Sequence, residues 1–211
     1  ILGFPWKLAE SGDDYAVMTY EFTATDGFPH NFSLSITYRF TSEAVVQEFT
    51  VTNKSDLAMP LLLGFHTAFR MSPQAKVRIT AFNGYWEMDT SRFLPKGELI
   101  SWDGSPVYGD DQAVSCHCPV TTDIVDGKPF RGAVIDYPEN NAKLYYEFDE
   151  VYKHWCLWNQ GGNNQFFCPE PMTCMVNAPN LDMPVEISGI EAIEPDHIWI
   201  AKQYIRIVPQ V

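Results

Sequence analysis

The sequence predicts an all-β protein, an antiparallel sandwich or barrel formed as one domain. Three observations carry this expectation. Apolar and polar residues alternate with a period of two, as on a half-buried strand. Polar turn clusters separate these runs at near-even spacing. Nothing in the 211 residues sustains helical periodicity, no repeat stands out, and no linker divides the chain.

Taken in order, residues 15–52 read as a meander. Residues 15–22 are rich in aromatic and β-branched side chains, and Asp26-Gly27 makes a turn. Residues 32–40 alternate cleanly, Thr41-Ser42-Glu43 turns the chain, and residues 44–52 form the next strand. The cluster Asn53-Lys54-Ser55-Asp56 is a turn, and the run from Pro60 to His66 follows it. Residues 76–82 and 85–88 are short strands, with Asn83-Gly84 read as the hairpin between them. Residues 93–127 scatter Gly, Pro and Asp and read as loop. Residues 131–136 and 143–148 are strands around a Pro-Glu-Asn-Asn turn, and residues 154–158 form another. Residues 185–193 and 198–208 close the sheet as strands.

The totals limit the partners. Net charge is −13, from 14 Lys and Arg against 27 Asp and Glu, which argues against nucleic acid, an anionic membrane or any polyanion. It leaves room for a phosphorylated small molecule, which needs only one or two well-placed Arg residues. The longest apolar run, residues 59–65, is too short to span a membrane and contains Pro60, and no signal peptide is visible. Five cysteines are an odd count with no secreted framework; they read as buried thiols in a reducing compartment, hence a cytoplasmic location. Cys116-His117-Cys118 lacks the spacing and second ligand pair of a structural zinc site, so no metal is assigned there. The chain starts at Ile1 inside what reads as a strand or turn, so a fragment lacking N-terminal strands is expected.

One stretch stands apart. Residues 166–181 hold a single carboxylate, Glu170, between Pro169 and Pro171, with the turn Asn177-Ala178-Pro179-Asn180 after it. Proline fixes φ and removes a donor, so the segment reads as a rigid loop at a strand end. A rigid, partly apolar setting raises a carboxyl pKa and suits it to acid/base work; a Glu on a surface turn is the plain alternative. His66 closes the apolar run Leu61-Leu62-Leu63-Gly64-Phe65. With Trp158-Asn159 between them in sequence, His66 and Glu170 form a candidate acid/base pair.

Here the sequence resembles the aldose 1-epimerase (galactose mutarotase) family and its hexose-6-phosphate relatives. One matching segment runs from Val51-Thr52-Asn53 through Met59-Pro60 to His66-Thr67-Ala68-Phe69. Another runs from Leu157-Trp158-Asn159 through Pro169-Glu170-Pro171 to the Asn177-Ala178-Pro179-Asn180 turn. Gly189 to Pro195, and Gly3-Phe4-Pro5-Trp6, are weaker matches. Two departures stand out. A further His and an Arg expected upstream of the Gly3-Phe4-Pro5-Trp6 segment are absent from this chain, and Ala68 stands where an aromatic is usual.

The resemblance implies the galactose mutarotase-like supersandwich and anomer interconversion of a hexose or related sugar. Glu170 would be the base and His66 the acid, with no metal or organic cofactor needed. Among substrate-binding candidates, Asp123 is the best positional match for a family Asp, with Asp126 next. Trp158 is placed to stack on a sugar face, Asn159 and Gln160 to bond hydroxyls, and Arg70 to meet a phosphate. A homodimer is compatible with this picture. A non-catalytic carbohydrate-binding β-sandwich is the alternative, because fold does not fix function. A glycoside hydrolase would ask for two carboxylates roughly 5–10 Å apart, and only one acid has a persuasive motif.

Overall fold

The alternating runs become strands where the turns that bound them are polar, and the chain is all-β. The computed structural model describes residues 5–104 and 106–210, so Gly3 and Phe4 of the weak N-terminal match lie outside the described residues. The strands are β1 Lys7–Ser11, β2 Tyr15–Phe22, β3 Phe32–Phe40, β4 Val45–Asn53, β5 Met59–Leu61 and β6 Phe69–Arg70. Then come β7 Lys76–Ile79, β8 Gly84–Asp89, β9 Leu94–Ser101, β10 Val107–Gly109, β11 Ser115–Pro119, β12 Asp123–Val125 and β13 Lys128–Phe130. The last are β14 Gly132–Tyr137, β15 Ala142–Phe148, β16 His154–Trp158, β17 Phe166–Met172, β18 Glu191–Ile193 and β19 Ile198–Pro209. One short helix, α1 Val185–Ser188, precedes β18. No helix of the described residues is long and apolar enough to cross a membrane.

The chain divides into two compact units, residues 1–61 with 192–206 and residues 62–191 with 207–211. The first unit is an antiparallel sheet in the order β1-β2-β3-β4-β19. Its β3–β4 pair runs in unbroken register from Phe32↔Asn53 to Phe40↔Val45, and β19 adds to β4 from Ile198↔Thr52 to Ile205↔Val45. Leu34, Phe49, Val51 and Ala201 are the buried apolar positions of these five strands, and Met59, Leu61 and Ile193 are buried beside them in the same unit. Asn53, the last residue of the Val51-Thr52-Asn53 motif, is buried and organises the turn after β4. Its side-chain amide donates to the carbonyls of Leu57 (2.8 Å) and Ile193 (2.7 Å), and its Oδ1 accepts the Ser55 N–H (2.9 Å).

The second unit packs two antiparallel sheets face to face. One runs β15-β14-β7-β10, the other β11-β16-β17-β6. Aromatic rings fill the space between them: Phe148 meets Trp155 at 4.9 Å and Tyr152 at 5.2 Å between centroids, and Phe69 meets Tyr146 at 5.2 Å. Edge-to-face packing of this kind adds to the area term. Trp155 is buried, and its indole N–H donates to the Thr80 carbonyl at 2.8 Å, so its one polar atom is satisfied.

Four expectations are corrected here. Asn83-Gly84 is not a hairpin: β7 pairs with β14 and β10, while β8 pairs with β9. Gly84 lies inside β8, where a Cβ would come within 2.8 Å of the Ile100 carbonyl. Residues 93–127 contain four complete strands, β9 to β12. β8 and β9 slip register between Trp86 and Met88, with Gly97 at φ 93 in the excursion, so no period of two survives to be read. Residues 185–188 are a helical turn rather than strand, because Pro184 sets its start and Gly189 takes the left-handed conformation (φ 72) that ends it. Finally, Glu170 is not on a loop; it sits in the middle of β17.

Candidate active site

Proline is tolerated inside β17 because of which way its backbone faces. The Pro171 carbonyl accepts the Phe65 N–H at 3.2 Å, so Pro171 turns its polar edge away from β16; Pro169, two residues earlier, does the same. The missing donors fall where β16 needs none, and Glu170 between them pairs with Cys156. Register then builds the site. His117, Cys156 and Glu170 lie side by side across β11, β16 and β17, and Ser115, Trp158 and Cys168 form the next row on the same face.

His66 reaches that face from a tethered segment. Leu63 N–H donates to Thr173 Oγ1 (3.0 Å) and Thr173 N–H to the Leu63 carbonyl (2.8 Å). Gly64 bridges to Met172, and the Met172 side chain lies over its Cα, so a larger residue there would have to displace the end of that side chain. Beyond His66, the Thr67 and Tyr146 hydroxyls are 3.0 Å apart, and Phe69 and Arg70 pair with Phe167 and Phe166. Both flanks of the histidine are therefore fixed, while its side chain is 65% exposed.

The His66 Nε2 lies 3.3 Å from Glu170 Oε1. The Glu170 side chain is only 11% exposed. Burial pushes its carboxyl above the ordinary carboxylate value, while the neighbouring His66 and a hydrogen bond from Cys156 pull it back. The Trp158 ring stands edge-on to His66 at 5.9 Å and packs on Phe166 at 5.3 Å. A cavity of about 510 Å³, lined by His66, His117, Cys156, Trp158, Glu170 and Met172 among others, opens over this face. That is within the usual size of a small-molecule site. Beneath it, His117 Nε2 is 3.8 Å from the Cys156 sulfur. Burial takes His117 down to about 4 and pushes the Cys156 thiol up to about 12, the Glu170 charge adding to the latter. Both are neutral at neutral pH.

The structure brings together His66, Glu170 and Trp158, and leaves the other predicted contacts outside this cavity. Asp123 sits on β12, 3.6 Å from Arg78, and accepts a hydrogen bond from the Thr121 hydroxyl. Asp126 accepts one from the Tyr145 hydroxyl at 2.5 Å. Asn159 is buried and spends its amide on the backbone, accepting from Val114 N–H (2.9 Å) and donating to the Gln112 carbonyl (2.7 Å). Arg70 is exposed on β6, and Gln160 lies in the turn after β16 at φ 55. The Cys116-His117-Cys118 triplet cannot converge on one ion, because alternation on β11 sends His117 to the face opposite its two cysteines. Sequence reasoning missed His117, Cys156 and Cys168 as neighbours of the pair. Cys156 and Cys168 stand two residues from Trp158 and Glu170, a spacing that gains meaning once the strands are known; His117 joins them only through the β11–β16 register.

Comparison with known proteins fits this geometry. The aldose 1-epimerase family model matches residues 1–188. A galactose mutarotase-like protein from Clostridium acetobutylicum superposes with a TM-score of 0.86 at 26% identity, covering 97% of this chain and 67% of that one. A candidate aldose 1-epimerase of Escherichia coli K12 gives 0.77 at 20% identity, covering 96% and 68%. A galactose mutarotase-like protein of Lactobacillus casei ATCC 334 gives 0.71 at 17%, covering 97% and 74%. The latter two speak to the fold alone, and the chain spans roughly two thirds to three quarters of these three structures' length. The fold is therefore that of the galactose mutarotase-like β-sandwich proteins, and the chain belongs to the aldose 1-epimerase family.

Proposed function

We propose that this chain interconverts the α and β anomers of a hexose or related aldose, with Glu170 as base and His66 as acid. The observation that carries the reading is the contact between a buried carboxylate and an exposed imidazole, 3.3 Å apart, at a cavity of about 510 Å³ beside an aromatic wall.

Ring opening works on two oxygens bonded to the same carbon, the C1 hydroxyl and the ring oxygen. An acid and a base serving that pair need stand only a few ångströms apart, each about 2.6–3.2 Å from its oxygen. With Glu170 ionised and His66 protonated, the carboxylate takes the hydroxyl proton as the C1–ring-oxygen bond breaks and a carbonyl forms. His66 delivers its proton to the departing ring oxygen. Rotation about the C1–C2 bond presents the other carbonyl face, and closure returns both protons along the same paths. The reaction is nearly symmetric, so each group must act in both directions, which suits a carboxyl lifted above its ordinary value. In this picture the sugar parts the His66–Glu170 contact, and the imidazole, the more exposed partner, is the one that gives way.

Polarimetry of freshly dissolved α-D-glucose, α-D-galactose and glucose 6-phosphate tests this. Acceleration over the spontaneous rate, lost in Glu170→Gln, is the expected result. Binding of these sugars without acceleration would replace the proposal with a carbohydrate-binding module.

A further inference from the structure

The geometry points to a second use of the same face: a site for a thiophilic divalent cation such as zinc, held by His66, Cys168 and Glu170. One ligand atom from each residue lies within 4.8 Å of the other two. The donor set of imidazole nitrogen, thiolate sulfur and carboxylate oxygen is one that zinc favours, whereas calcium and magnesium prefer oxygen alone.

The distances suit the ion. Tetrahedral zinc, with bonds of about 2.0–2.3 Å, places nitrogen and oxygen ligands about 3.3 Å apart and sulfur about 3.5 Å from either. His66 and Glu170 already stand at 3.3 Å. The Cys168 sulfur lies within 4.8 Å of the other two ligand atoms, so side-chain rotation of about an ångström by Cys168, Glu170 and the exposed imidazole completes the geometry, the backbone already holding Cys168 and Glu170 on one face of β17. A three-residue set leaves the fourth position open to water or a sugar oxygen. Cys156 hydrogen-bonds Glu170 from the next strand and so orients the carboxylate, as partners behind a metal ligand commonly do. Binding displaces to the solvent the Cys168 thiol proton and, from the state with His66 protonated, the imidazolium proton as well; no redox step is involved.

Because His66 and Glu170 are also the proposed acid and base, the bound cation would hold both and stop anomer interconversion. That consequence rests on the proposed function; the cation site itself does not.

The test is direct binding to the untagged protein. Titration with zinc chloride should show one site, and cobalt chloride should bring up a near-ultraviolet thiolate-to-cobalt charge-transfer band. In Cys168→Ser the band should vanish and zinc affinity should fall at least about tenfold, while anomer interconversion, if present, should persist and become resistant to zinc. Cys168→Ala, with melting temperature recorded for both variants, separates loss of a ligand from loss of fold. No saturable zinc binding, or binding that both Cys168 variants retain, would overturn the proposal. Cobalt charge transfer without any epimerase activity would keep the cation site and refute the catalytic reading instead.

Discussion

Glu170→Gln separates catalysis from stability in opposite directions. Glutamine keeps the shape of the side chain but has no carboxylate to accept the hydroxyl proton. Positioned general bases contribute about 10²–10⁴-fold. Glu170 belongs in the middle of that range. Burial lifts its carboxyl toward a more effective basicity, yet the exposed His66 beside it lets water serve as a poorer base in the variant. A loss of about a thousandfold is expected, or about 4 kcal/mol of barrier. Stability should move the other way. The folded carboxyl sits above its ordinary value of 4.5, so between that value and the folded one the folded state holds more protons than the unfolded chain. Stability therefore falls as pH rises through this window and stays lower above it. Removing the charge at neutral pH should leave the melting temperature unchanged or raise it. The assay is polarimetry with the spontaneous rate subtracted, alongside calorimetry of the same samples. A variant retaining more than a tenth of the parent rate, or melting several degrees lower with its activity intact, would refute the assignment.

Three further outcomes follow from the same structure. The acid limb of the kcat/KM profile should lie above the ordinary carboxylate value, and Cys156→Ala should move it higher still, since the Cys156 hydrogen bond lowers the Glu170 pKa; a limb that shifts down or stays put would contradict this contact. Burial takes both His117 and His154 from 6.5 to about 4, so the unfolded chain gains protons first as pH falls from 6.5. Melting temperature should drop across that window, and His117→Gln should make the drop shallower, whereas an equal slope would show that His117 is not held neutral. Ile135→Ala, at a side chain with no exposure in the core of the second unit, should cost about 2–5 kcal/mol in denaturant unfolding; a cost below about 1 kcal/mol would mean that the space collapses.

His154 shows how a residue that looks chemical can be structural. Its Nδ1 accepts the Trp86 indole N–H at 3.2 Å and its Nε2 faces the Ile187 carbonyl at 2.9 Å, which fixes the neutral tautomer protonated at Nε2. Sequence placed it correctly as the first residue of a strand; alternation puts it on the same face as Cys156 and Trp158, but at the far end of β16, where its ring is committed to Trp86 and the Ile187 carbonyl and lines a different cavity.

The sequence by itself determined the all-β class, the long strands β2, β3, β4, β15, β16 and β19 to within a residue or two, and the pairing of His66 with Glu170 as the residues to watch. These are local or motif-level facts: alternation, turn chemistry, and a resemblance that spans the chain. Only the tertiary structure decided the rest. β9 and β11 carry no alternation that stands out, and they become strands because β8 and β16 supply partners. The two prolines around Glu170 read as a break in regular structure, yet β17 accommodates them because their missing donors point away from β16. Asp123 and Asn159 carry suitable groups in suitable-looking places, and the fold commits them to Arg78 and to backbone amides instead. Cys168, about a hundred residues from His66 in sequence, meets it only through the tertiary fold and the register of a sheet. Register is a property of strand pairs, set by which side chains can share a face and a core, and no single run of sequence contains it.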